Sequence, residues 1–209
     1  MKYHIDSSVF KFNWEQVAIS FWQRYPNPFA KHVLSEDVIS RRVVGQELHT
    51  KRLLSKTNKM TNFVKKFSRG ETFTFVVEES IVDPIRRLIT TYTRNVAMQN
   101  IVSVEEKVVY KQDPQNKNMV VCERKAWIYS PLRFGASGPV CSFVHQRFKN
   151  NAVKASNGFR FVLENMFSPN DQSPSANIPG QIYMSKEMMT EGAKKATEYA
   201  KKHPKVLIR

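Results

Sequence analysis

The chain has 209 residues, 41% of them apolar and fourteen of them Phe, enough for one folded domain with a real core plus a tail. With 33 Lys and Arg against 18 Asp and Glu the formal charge is +15, which calls for an anionic partner: nucleic acid, an anionic membrane surface or a phosphorylated small molecule. No run reaches the roughly 18 apolar residues of a spanning helix, so the chain reads as soluble or peripheral.

Residues 2–10 have the composition of a first strand, and the N-terminus carries neither a signal-peptide core nor an Arg/Ser-rich transit sequence. Asn13 followed by Gln16 has capping-box spacing and starts a helix. Trp14, Val17, Ala18, Phe21 and Trp22 then form a single apolar stripe. That helix must stop before Pro26. Pro26 and Pro28 fix φ and push Tyr25 and Asn27 towards extended backbone, so Trp22–Val33 is stiff and non-helical. It presents Arg24, Lys31 and His32, which suit an anionic group; solvated cations behind a helix end explain the same residues.

From Val33 onward the pattern is strand. Val38–Val44 and Leu48–Leu54, with Gly45 between them, make a hairpin. Four more β-rich runs follow, Thr72–Val82, Leu88–Val96, Ile101–Tyr110 and Met119–Tyr129, separated by turn clusters such as Asp83-Pro84. No helical pattern separates them, which predicts an antiparallel meander. Residues 57–70 interrupt the series. Met60, Phe63, Val64 and Phe67 sit there at helical spacing opposite lysines, fitting either a core-packing turn or an amphipathic segment that dips into a lipid interface.

Pro139 suits the first helical turn of a long helix running to about Phe167, with Val140, Val144, Phe148, Ala152, Ala155, Phe159, Val162 and Met166 as its apolar stripe. Arg147, Asn151, Lys154 and Gly158 share another face, with water or an anion between the two cations. Residues 168–182 read as a linker, and 183–209 as a mobile Lys-rich tail with marginal helical character. Cys122 and Cys141 lack metal-ligand spacing and read as buried thiols; no cofactor or metal is called for.

Positive charge is clustered along the chain. Lys51–Gly70 holds seven cations and no acid, Arg124–Leu163 again seven and none, while 71–123 holds eight of the acids. If the two acid-free stretches meet Arg24 and His32 at one mouth, that mouth suits a phosphate monoester. A nucleic-acid-binding domain fits the composition, yet no RNP-like, KH or zinc signature is present. An enzyme using His32 as general base would need an ordered nucleophile, and none is legible.

The runs Arg24-Tyr-Pro-Asn-Pro28, His32-Val-Leu-Ser-Glu-Asp37, Arg52-Leu-Leu-Ser-Lys56-Thr-Asn-Lys59, Glu79-Ser-Ile-Val-Asp-Pro84, Thr91-Tyr-Thr-Arg-Asn95, Val104-Glu-Glu106, Arg147-Phe-Lys-Asn-Asn151 and Lys154-Ala-Ser-Asn-Gly158 resemble the PRELI family of mitochondrial phospholipid-transfer proteins, in order across 1–167. The resemblance implies an α+β fold: a curved antiparallel sheet of about seven strands around a long C-terminal helix, with a lipid cavity between them. It implies a non-enzymatic carrier moving phosphatidic acid, a cardiolipin precursor, across the intermembrane space; phosphatidylserine transfer is the alternative. It further implies anionic membrane surfaces and a small disulfide-bonded helical-hairpin protein as partners, and no nucleic acid. Carried over residue by residue, head-group contacts fall on Arg24, His32, Lys56, Lys59, Arg147, Asn151 and Lys154. The lid falls on 57–70, with Met60, Phe63, Val64 and Phe67 as its membrane contact and Gly70 as its hinge. Arg24 and Lys154 are both expected at the mouth and outside the core, and the hollow beneath them is expected to be apolar.

Overall fold

The computed structural model describes residues 1–57, 73–133 and 135–167. Seven strands form one antiparallel sheet: β1 (Lys2–Phe10), β2 (Val33–Val44), β3 (Glu47–Thr57), β4 (Phe73–Asp83), β5 (Leu88–Asn95), β6 (Ser103–Gln112) and β7 (Val120–Tyr129). Their order is β1-β7-β6-β5-β4-β3-β2, so the meander runs from β2 to β7 and β1 closes onto β7. Gly45, at φ 61, takes the left-handed position in the tight turn between the paired residues Val44 and Glu47. Helix α1 (Trp14–Phe21) and helix α2 (Ser137–Phe167) lie on the sheet's inner face.

Local chemistry explains where the helices begin. The Asn13 side chain accepts from Gln16 N at 2.9 Å while Gln16 Oε1 accepts from Asn13 N at 3.0 Å, a reciprocal capping box. Helix α2 starts at Ser137, two residues before Pro139. Proline therefore sits within the first turn and not at its first position; backbone N–H groups there have no helical partner to lose.

Apolar packing pins α2 at both ends. Near its C-terminal half, Phe159 and Leu163 join Phe10, Trp14, Val17, Phe21, Ile89, Tyr110 and Val120. Near its start, Val140 and Cys141 pack on Ile101, Val102 and Ile128. Each fully buried Val, Leu or Phe contributes about 1.5–3 kcal/mol, so both contacts hold firmly. Both cysteines are buried free thiols, as their spacing predicts. Among the described residues no helix is long and apolar enough to cross a membrane.

Candidate functional site: a cavity under the long helix

Between its two anchored ends α2 stands off the sheet and roofs an open-mouthed cavity of about 290 Å³. Phe143, Val144, Phe148, Ala152, Ala155 and Phe159 face it from the helix, and Leu54, Val76, Val104 and Val108 from the sheet. The expected hollow is therefore present, but its floor is not uniformly apolar. Cross-strand register places Arg52, Glu78, Thr93 and Glu106 in one row and Ser80, Thr91, Val108 and Arg124 in the next. A polar belt crosses the concave face between apolar rows. This corrects the expectation of a purely apolar hollow, because inward-facing alternation in β4 admits Glu78 between Val76 and Ser80.

Arg24 lines this cavity, yet it lies in the core: the residue is 9% exposed. Its Nη2 donates to both oxygens of Glu78, at 2.9 and 3.0 Å, and its Nε donates to the Phe21 carbonyl at 3.0 Å. The guanidinium lies 4.0 Å from the centre of the Phe21 ring. Arg52, 1% exposed, bonds the same Glu78 and pairs with Glu36 at 2.8 Å. Two arginines and two glutamates thus form a charge-balanced buried network. Burial opposes the charge of Glu78, but Arg24 and Arg52 outweigh it and hold the carboxyl down at about 2. For Glu36, burial prevails over Arg52 and Arg24, and its pKa is raised.

The Arg24–Phe29 turn is built by side chains bonding to the backbone. Asn27 Nδ2 donates to the Arg24 carbonyl at 2.7 Å, and Asn27 Oδ1 accepts from Phe29 N at 2.9 Å. The turn docks on α2 at Gly158, where an added Cβ would come within 2.5 Å of Asn27 Oδ1. Gly158 therefore serves close packing; it does not continue the anion-facing row of Arg147, Asn151 and Lys154.

The other end of the cavity is lined by His32, Lys56, Arg147 and Asn151. Lys154 is exposed just beyond it, and its charge reaches His32. Burial, then Lys56, Arg147 and Lys154, hold the His32 imidazole down at about 4, so it is neutral at pH 7. Desolvation also lowers the Arg147 pKa. Glu78 lies four residues along β4 from Thr74, so this mouth and the Arg24 network are separated by about 13 Å of strand. The structure brings His32, Lys56, Arg147, Asn151 and Lys154 together and places Arg24 deeper. Lys59, Met60, Phe63, Val64, Phe67 and Gly70 lie outside the described residues, as do the linker and tail.

Sequence reasoning missed Glu36, Arg52, Glu78, Glu106 and Arg124 as cavity and network residues. The available signal was acids at inward positions of otherwise apolar strands, with cations opposite them in register.

The PRELI-like family matches residues 15–169 of the chain. "PRELI domain-containing protein 1, mitochondrial" of Gallus gallus is 40% identical over 203 residues, covering 96% of this chain and 87% of that protein. "Protein UPS1, mitochondrial" of Saccharomyces cerevisiae is 34% identical over 164 residues, covering 78% of this chain and 93% of that protein. Among solved structures, the Zhui aromatase/cyclase from Streptomyces sp. R1128 superposes with a TM-score of 0.54 at 8% identity, over 82% of this chain and 99% of that one. At that identity the likeness concerns the fold alone.

Proposed function

Since the chain belongs to the PRELI-like family, we propose that it is a mitochondrial phospholipid carrier that moves phosphatidic acid between the outer and inner membranes across the intermembrane space. The observation that carries this reading is the cavity itself: a hollow between helix and sheet with cations at its open mouth and no carboxylate beside them among the described lining residues. A lipid leaves a bilayer slowly because each buried CH₂ is worth about 0.8 kcal/mol. Shelter for the chains must therefore be combined with compensation for the phosphate's lost water.

Lys56, Arg147, Lys154 and Asn151 supply that compensation at the mouth. Deeper in, Arg24 lines the same cavity while its Nη2 and Nε are held by Glu78 and the Phe21 carbonyl. Steering by the mouth cations and retention by Arg24 then follow one path inward. The serine head group of phosphatidylserine carries an ammonium as well as a carboxylate. Glu78 and Glu106, the carboxylates lining the cavity among the described residues, are already matched to arginines, which favours the simpler phosphate. The lipid leaves chemically unchanged. Residues 57–70 act as the lid, docking on anionic membranes, and a small disulfide-bonded helical-hairpin protein accompanies the carrier.

The test is transfer between donor and acceptor vesicles carrying phosphatidic acid or phosphatidylserine, with mass spectrometry of the recovered lipid. Faster transfer of intact phosphatidic acid supports the reading. Transfer of neither lipid, or a chemically altered lipid, defeats it.

A further inference from the structure

Arg124, on β7, is 5% exposed and lines the cavity floor. Its Nε lies 2.9 Å from Glu106 Oε1, close enough to pair the charges, but the contact is not aligned as a hydrogen bond. Among the described residues its buried Nε makes no hydrogen bond. A guanidinium has five N–H donors, and buried donors are almost always satisfied, since each orphan forfeits the water it lost. Arg24 and Arg52, by contrast, each donate to Glu78, although the Arg52 Nε is itself without a partner.

The nature of the missing acceptor follows from the local charge. Glu106 already neutralises Arg124, and Asp6 adds negative potential from the neighbouring strand. A second full anion here would face an ion pair that is already balanced, so a neutral acceptor with no proton to give is the better match. Tyr110 interacts electrostatically with both Arg24 and Arg124, and all three line the one cavity.

We propose that Arg124 is a second polar subsite that receives an acyl-ester carbonyl of the bound glycerolipid and so selects ester-linked over ether-linked chains. This rests on the carrier reading above. The two donors divide the work: Arg24 meets the phosphate oxygens, and Arg124 meets the uncharged carbonyl further along the glycerol.

The experiment compares retention of didodecanoyl phosphatidic acid with that of its di-O-dodecyl ether analogue, in which the carbonyl is gone and only a weak ether acceptor remains. Wild-type protein is expected to hold the ester about tenfold more tightly, the range of a hydrogen bond to a charged donor. The paired variant Arg124→Met with Glu106→Gln removes the donors without stranding a buried carboxylate. It is expected to bind both lipids equally, at the affinity wild type shows for the ether. Less than a twofold ester preference in wild type overturns the proposal, and so does a preference that survives in the paired variant. If that variant does not fold, the wild-type comparison still decides. Wild type that retains neither lipid defeats the carrier reading itself, an outcome distinct from equal retention of both.

Discussion

Replacing Glu78 with Gln should unfold the floor of the cavity more than it changes its shape. The amide keeps the volume but leaves Arg24 and Arg52, both buried, facing a neutral group; only Arg52 retains Glu36. Breaking a buried pair from one side costs about 3–5 kcal/mol. The proton linkage points to the same size: a carboxyl held at about 2 against an ordinary 4.5 contributes on the order of 3 kcal/mol at neutral pH. That is a large part of the roughly 5–15 kcal/mol that holds a domain together. Urea unfolding at pH 7, followed by tryptophan fluorescence, measures the loss directly. The sign with pH is definite as well. The folded carboxyl resists its proton, so this stability is present above pH 4.5 and disappears as pH falls through about 2; the Gln variant lacks that acid-sensitive component. A loss below 1 kcal/mol, or an acid slope unchanged from wild type, would refute the network as a structural element. The result also bears on function, because Arg24→Ala breaks the same network. Lost transfer in that variant is expected to come with lost stability, contrary to the expectation of a mouth residue outside the core.

Lys154 is exposed, so Lys154→Ala should lower phosphatidic acid transfer several-fold with an unchanged melting temperature; unchanged transfer would remove it from the mouth. Gly158→Ala should lower the melting temperature by several degrees: the added methyl meets Asn27 at 2.5–2.9 Å, strain of about 1–3 kcal/mol against about 1 kcal/mol of helix propensity gained. A melting temperature that rises would show that Asn27 gives way freely. In the lipid-free protein His32 should titrate near 4, below the 6.5 of the unfolded chain, so it withdraws stability as pH falls from 6.5 toward 4. A bound phosphate offsets the neighbouring cations and should move that titration upward by NMR, with affinity rising as pH falls. Titration near 6.5 without lipid would contradict the geometry.

Much of the architecture was readable along the chain. Period-two runs, the capping box at Asn13 and the two prolines after Trp22 act within a few residues, so seven strands and two helices could be placed before any packing was known. The mouth was partly legible for the same reason: Arg147, Asn151 and Lys154 fall on one face by helical spacing alone. Charge clustering, however, misled in one respect. Acid-free stretches suggested uncompensated cations, yet Arg52 and Arg124 meet Glu78 and Glu106 across the sheet.

By itself, then, the amino-acid order determined the elements, their antiparallel succession and the family, because each depends on local spacing or on runs of residues in sequence. Tertiary structure alone decided that Arg24 lies in the core, that Gly158 makes room for Asn27, and that a polar belt crosses the cavity floor. Those facts depend on strand register and on where α2 lifts from the sheet. Both are set by long-range packing, in which residues dozens of positions apart become neighbours.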